Sequence, residues 1–271
     1  MTTSPSPSAA ETRRILITGA TGGIGLLLAD RLTEKGHDYE IVQHGRTPKN
    51  EEQERVLRTA DLSDLGSVQE LMDGVDTVVH LAGASSPDSE WDDVLSTNIV
   101  GTRNVLEAAR QAGARRVVFA SSNHAFGMHD RDEQWPVLPT TLPRPDSLYG
   151  VSKAFGEALG SYYHDAFGLE FISLRIGWYA EDPLASDEEL LHAMWLSPDD
   201  CVEVVRRAIE ADVTFGLYYA ISENPNRRWD ITNTMVELGY RPQDSWTRVT
   251  GRQEDVVVGG APVRDDWPAG S

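Results

Sequence analysis

Tyr149-Gly-Val-Ser-Lys153 sets a phenol and an ammonium one helical turn apart, on the same face of any helix that carries them. A free phenol titrates near ~10, too high for a base at neutral pH. A neighbouring ammonium favours the phenolate, and so would the positive charge of an oxidised nicotinamide. Lys153 can in addition hold a nicotinamide ribose. The spacing alone also occurs on ordinary exposed helix faces, so its surroundings matter. Upstream lies Phe119-Ala-Ser-Ser-Asn-His-Ala-Phe-Gly127, which reads as a strand running into a polar turn. A Ser at the carboxyl end of such a strand can hydrogen-bond a reacting oxygen. Asn123 and His124 add polar groups suited to a hydroxylated substrate.

A second constellation precedes this one. Ile15-Leu-Ile-Thr-Gly-Ala-Thr-Gly-Gly-Ile-Gly25 places glycines at 19, 22, 23 and 25 between a strand and a helix. Gly19 permits the tight turn, and Gly22 or Gly23 lets backbone approach a pyrophosphate. Gly25 allows close helix–strand packing, and the helix start offers free N–H groups to phosphate. This predicts dinucleotide binding. After the next strand comes His44-Gly-Arg-Thr47, with no acid before Glu51 to bond ribose hydroxyls. Arg46, with Thr47, suits a 2′-phosphate, so NADP is expected in preference to NAD, which remains open because Arg46 can also stack on adenine. Asp61 and Leu62 are expected beside the adenine, and Leu81, Ala82 and Gly83 along the cofactor's middle. Asn98 is expected mid-helix, holding Lys153 through water.

The elements that must position these groups are legible as alternating strands and helices. Strands are expected at 14–18, 40–44, 76–82, 116–121, 170–176 and 214–221, with a weaker one near 56–61. Helices are expected at 23–36, 64–73, 90–112, 149–167, 198–211 and 229–238. The pattern predicts an α/β fold, a Rossmann-type doubly wound parallel sheet with a small C-terminal substrate-binding portion. The expected division is a flexible tail (1–12), a dinucleotide-binding core (13–177), substrate-binding elements packed on it (178–250) and a C-terminal tail (251–271). Cys201, the only cysteine, falls on a helix and reads as a small buried hydrophobe; it excludes an internal disulfide framework and a multi-cysteine zinc site, and no metal is expected. No run approaches the ~18 apolar residues of a membrane helix, and the Ser/Pro-rich start has no secretory pattern, so a cytoplasmic protein is expected.

Charge narrows the partners. The 271 residues carry 43 acids against 24 bases, a net −19, and the bases are 21 arginines and only three lysines, Lys35, Lys49 and Lys153. Nucleic acid would be repelled. The acidity fits solubility at high salt, and equally an arginine-biased genome. Lys35 and Lys49 flank the second strand, where surface turns are expected.

Over residues 14–245 the chain resembles the extended short-chain dehydrogenases/reductases, and more closely the uronate dehydrogenases with the related haloarchaeal glucose-6-phosphate dehydrogenases. Phe119-Ala-Ser-Ser-Asn-His124, Leu142-Pro-Arg-Pro-Asp-Ser-Leu-Tyr-Gly-Val-Ser-Lys153, Leu174-Arg-Ile-Gly177 and Ala193-Met-Trp-Leu-Ser197 carry that likeness. It implies oxidation of a cyclic sugar at its anomeric carbon, with Ser122, Tyr149 and Lys153 as the catalytic set. Ser122 is favoured over Ser121 because it matches the family's Ser before Asn-His. The same reading adds Thr21, Ile24 and Ile176 at the cofactor, and Ser85, Asn123, His124 and Trp178 at the substrate. One departure stands out. Relatives acting on anionic sugars carry an Arg where Leu190 stands, and no Lys or Arg occurs between Arg175 and Arg206. Trp178 replaces a small polar residue. A neutral aldose, such as L-arabinose, galactose or glucose, is therefore expected, although His192 offers another way to bind an anion. The alternatives are a uronate or sugar-phosphate dehydrogenase, a nucleotide-sugar epimerase or dehydratase, and a non-catalytic dinucleotide sensor. A homo-oligomer is expected.

Overall fold

The structure, a computed structural model, describes residues 12–34 and 37–252. Residues 1–11 of the expected tail at 1–12, residues 253–271 of the one at 251–271, and Lys35 lie outside the described residues. Six parallel strands form the central sheet in the order β2-β1-β3-β4-β5-β8. They are β1 (Arg13–Thr18), β2 (Tyr39–His44), β3 (Thr77–His80), β4 (Arg116–Ser122), β5 (Glu170–Ile176) and β8 (Phe215–Ala220). A small pair, β6 (Trp178–Tyr179) and β7 (Trp195–Leu196), stands apart. Both faces of the sheet are covered, which is why the central strands read as apolar runs without alternation. Ile15 and Ile17 of β1 enter one core cluster and Leu16 enters the other.

The helices are α1 (Gly23–Arg31), α2 (Glu51–Val56), α3 (Leu65–Leu71), α4 (Trp91–Asp93), α5 (Gly101–Ala112), α6 (Gly127–Arg131), α7 (Leu148–Phe167), α8 (Glu189–Ala193), α9 (Pro198–Glu210), α10 (Thr232–Glu237) and α11 (Trp246–Thr250). α1 and α9 cover one face of the sheet, and α3, α5 and α7 the other. The chain leaves β1 outward to β2 and returns to β3 on the opposite side. The carboxyl ends of β1 and β3 therefore flank the crevice where such sheets bind ligands. Among the described residues no helix is long and apolar enough to cross a membrane.

Several expectations change. The weak strand at 56–61 is only an isolated bridge between His44 and Arg58. The first helix stops at Arg31, and the one expected at 229–238 shortens to α10 before Gly239 takes φ +69°. Between α4 and α5 the helical path opens into a π-helical segment, Val94–Val100. The sheet also reaches past residue 177: β8 is its sixth strand, and α9 supplies Cys201, Val204, Val205, Ala208 and Ile209 to the core beside α1. Cys201 is fully buried, and burial pushes its thiol up to about 12, so it packs as a hydrophobe. Ser197 caps α9, accepting from Asp200 N at 3.1 Å, a contact worth ~1 kcal/mol.

Depth matters for α7. A Cβ at Gly156 or Gly160 would drive into the rings of Phe119 and Phe171, and one at Gly150 into the His124 carbonyl. These glycines let α7 lie close on β4 and β5 and fix how deep Tyr149 and Lys153 sit.

Candidate active site

β4 delivers Ser122 to the edge of the sheet, and the first turn of α7 delivers Tyr149 to it. Ser147 caps that helix through Gly150 N at 3.1 Å. The Ser122 hydroxyl lies close enough to the Tyr149 phenol to favour its phenolate, donates to Asn123 Oδ1 at 3.3 Å and accepts from His124 N at 3.2 Å. Ser121, one residue earlier, points the other way and donates to Glu157 at 2.6 Å, in a buried ion pair with Arg175 at 2.9 Å. Burial pushes the Tyr149 phenol up, and the Ser122 bond acts in the opposite direction. Lys153 does not bond the phenol. Its Nζ donates to the Ala120 carbonyl at 2.7 Å and lies 5.0 Å from the Phe119 ring centroid and 5.4 Å from that of Tyr149. Burial pulls this ammonium down to about 8. Desolvation therefore sets the direction for this phenol.

Asn98 sits in the π-helical segment and makes direct bonds: Nδ2 donates to Ala84 O at 2.9 Å and to Ser152 Oγ at 2.9 Å, while Oδ1 accepts from Ala84 N at 2.7 Å. Ser152 in turn donates to the Tyr149 carbonyl at 2.7 Å. The irregular helix thereby ties the loop after β3 to the turn that carries Tyr149. π-segments of this kind recur at functional sites.

A cleft of about 960 Å³ opens over the carboxyl ends of β1, β2 and β3. It brings together Gly19, Thr21, Gly22, Arg46, Asp61, Leu62, Leu81, Ala82, Gly83 and Ser85. Gly19 has φ +76°, and a Cβ there would meet Ala82 N at 2.8 Å, so only glycine leaves this cradle open. The cradle and the exposed helix start fit a dinucleotide pyrophosphate. Gly23, Ile24, Gly25, Thr47 and Ile176 do not line the cleft. A Cβ on Gly23 would lie 3.5 Å from the Tyr179 ring, and one on Gly25 would collide with the Gly19 carbonyl. Ile24 and Ile176 pack into the core, and Thr47 is exposed.

Lys49 and His44 are among the lining residues that escape the sequence reading. Lys49, expected on a surface turn, borders the cleft with Arg46, and neither side chain has a hydrogen-bonding or ionic partner among the described residues. Its place three residues after Arg46 on one turn was the available signal. His44 forms part of the floor, 2% exposed, with Nε2 at 3.1 Å from Ala60 O and Nδ1 without a partner. A Cβ on Gly45 would meet the Thr21 methyl at 2.6 Å, so an acid could not replace it without displacing Thr21.

At the substrate end, Asn123 Nδ2 lies 3.1 Å from Met194 Sδ, and Trp178 N donates to Met194 O at 2.8 Å. His124 Nδ1 faces Asp146 at 2.9 Å. Leu190 packs with Trp178 on the apolar cluster around Met194. His192 is not available to bind an anion. It is buried, stacks on Trp246 with centroids 4.1 Å apart, and directs Nε2 to the carbonyls of Pro183 and Ser186 at 3.1 and 2.9 Å.

Comparison with known proteins agrees with this geometry. The chain is 40% identical over 254 residues to the L-arabinose 1-dehydrogenase (NAD(P)(+)) of Haloferax volcanii, covering 86% of this chain and 97% of the relative. It is 36% identical to the NAD-dependent glucose-6-phosphate dehydrogenase of the same organism, covering 87% and 95%. Among solved structures, the glucuronic acid dehydrogenase of Chromohalobacter salexigens superposes with a TM-score of 0.78 at 35% identity, covering 88% of this chain and 87% of that one. The profile of the NAD dependent epimerase/dehydratase family matches residues 15–182. With its glycine turn, its Ser122–Tyr149 contact and a buried Lys153, the chain belongs to this family, the extended short-chain dehydrogenases/reductases.

Proposed function

We propose that the protein oxidises the anomeric carbon of a free, neutral aldose to its lactone, using NADP in preference to NAD. The observation that carries the neutral-sugar reading is that the cations around the substrate end are already engaged. Arg175 is held by Glu157, Arg228 by Asp130 at 2.9 Å and Glu189 at 3.2 Å, and Arg144 by Asp132 at 2.7 Å. A bidentate Arg–anion contact would require breaking one of these pairs. Leu190 and Trp178 supply apolar surface in its place. The kinship with an L-arabinose dehydrogenase points the same way.

Tyr149 takes the proton of the anomeric hydroxyl, and Ser122 steadies that oxygen. Asn123 and His124 bond other hydroxyls of the ring, and Ser85 lies toward the same end. Lys153 holds the ribose of the cofactor and favours the phenolate. The bound oxidised nicotinamide supplies the hydride acceptor. Arg46 and Lys49 favour a 2′-phosphate, and no carboxylate follows β2 before Glu51 to claim ribose hydroxyls. The half-exposed Leu148, Val151 and Tyr162, on one side of α7, support self-association as a homo-oligomer, which light scattering would test. The buried, unpaired Cys201 suits a reducing cytoplasm.

The decisive experiment follows reduced-cofactor absorbance while crossing NAD and NADP with neutral and anionic aldoses, at low and high salt. A higher kcat/KM for glucuronate or glucose 6-phosphate than for every neutral aldose would refute the proposal. Epimerisation without net release of reduced cofactor would refute it too.

A further inference from the structure

His124 and Asp146 come from different elements, the turn after β4 and the residue before the cap of α7. Both Asp146 carboxylate oxygens lie within hydrogen-bond reach of His124 Nδ1, at 3.0 and 2.9 Å. The carboxylate also accepts from Ser147 Oγ at 3.0 Å, and Asp146 N donates to the His124 carbonyl at 3.2 Å. Gly127 leaves the room: a Cβ there would run into the Asp146 carboxylate. The ring of His124 meets that of Tyr149 edge-on, with centroids 5.8 Å apart. Its Nε2 has no hydrogen-bond partner among the described residues, and the side chain is 29% exposed.

An ionised carboxylate can only accept, so the nitrogen facing it must carry a proton. In a neutral imidazole that leaves Nε2 as a bare lone pair, and the group across the ring decides which nitrogen meets the ligand. We infer that Asp146 is a positioning residue that locks His124 in its Nδ1–H tautomer, so that Nε2 meets the sugar as a hydrogen-bond acceptor. The site then selects a hydroxyl at that point and repels a carboxylate or phosphate oxygen, which would need a donor there. Selection of this kind can be steep, because the wrong partner leaves two lone pairs opposed. The substrate half of this inference rests on the aldose reading above. The tautomer half does not.

The test uses the full chain with ring-15N-labelled histidine and long-range 15N–1H correlation, in alkaline buffer. The resonances of His124 are those lost in His124→Gln. The expected result is a protonated Nδ1 and a bare Nε2 in the wild type, with the proton population moving toward Nε2 in Asp146→Asn. Nε2–H or a doubly protonated ring in the wild type would overturn the inference, and so would an unaltered tautomer in a folded Asp146→Asn. Should that variant not fold, the wild-type spectrum still decides. In the kinetic arm, Asp146→Asn is expected to raise KM for the preferred aldose about tenfold, the equivalent of ~1.4 kcal/mol. It should also narrow the preference over the matching uronate. An equal loss on both substrates would overturn the selectivity claim. A wild type that turns over no aldose would sink the proposed function and leave the tautomer result standing.

Discussion

Lys153 Nζ hydrogen-bonds the Ala120 carbonyl of β4 at 2.7 Å and lies 5.4 Å from the centroid of the Tyr149 ring. The ammonium is thus held by the sheet. Lys153→Met should lower kcat by roughly 10²-fold or more and move the rising limb of its pH profile upward, because the phenolate loses the nearby charge. Tyr149→Phe should abolish turnover while leaving cofactor binding, read by fluorescence titration, largely intact.

The same burial makes a stability prediction. The folded protein holds the ammonium at about 8, against an ordinary value of 10.5. Between those values the unfolded chain binds more protons, so this lysine makes stability rise with pH. Its cost is fully present below about 8 and fades toward 10.5. The wild type should therefore gain on Lys153→Met as pH climbs through that window, measured by urea unfolding. A constant difference would show that Lys153 is not buried as a strained cation.

At the adenosine end, Arg46→Ala should raise KM for NADP by roughly 10- to 100-fold, the range for losing a charge-assisted bond of ~1.5–3 kcal/mol. The effect of Lys49→Ala should be a few-fold, since exposed charges are screened. Neither should change KM for NAD more than about twofold. Matching losses with both cofactors would place the two cations on the pyrophosphate or adenine instead.

Motifs tied to local backbone geometry were legible in the sequence. Gly19 announces its positive φ, Ser197-Pro-Asp-Asp announces a helix start, and Tyr149 with Lys153 announces a shared face. What stayed hidden depends on contacts distant in sequence. Asn98 reads as a mid-helix residue with a role toward Lys153, and its bonds to Ala84 and Ser152 come to light only in the fold. Lys49 reads as a surface turn until α2 folds back beside the cleft. His192 is a free imidazole on paper, and becomes a core group once Trp246 covers it. Its loss as an anion ligand could not be read from spacing.

Asn98→Ala removes bonds to both Ala84 backbone groups and to Ser152. At ~1 kcal/mol for each buried bond, the cost should be roughly 2–3 kcal/mol by urea unfolding. Because the loop after β3 borders the cleft, KM for the cofactor should rise as well. A stability loss with unchanged cofactor KM would confine Asn98 to packing.

Gly156 offers the sharpest test of how α7 is seated. A Cβ there would strike the Phe119 ring, over which Lys153 Nζ also lies at 5.0 Å. Gly156→Ala should cost ~1–3 kcal/mol through overpacking, despite the better helix propensity of Ala. Gly66, exposed near the start of α3 with ordinary contacts to Asp64, is the control. There the same change should be neutral or stabilising by up to ~1 kcal/mol. Lifting α7 also moves Tyr149 from Ser122, so Gly156→Ala should lose kcat beyond what its lower stability explains. Adding Phe119→Leu should restore part of both by making room for the methyl group. If Gly156→Ala matched the Gly66 control in stability and kept full kcat, the close seating of α7 would not be what sets the depth of Tyr149 and Lys153.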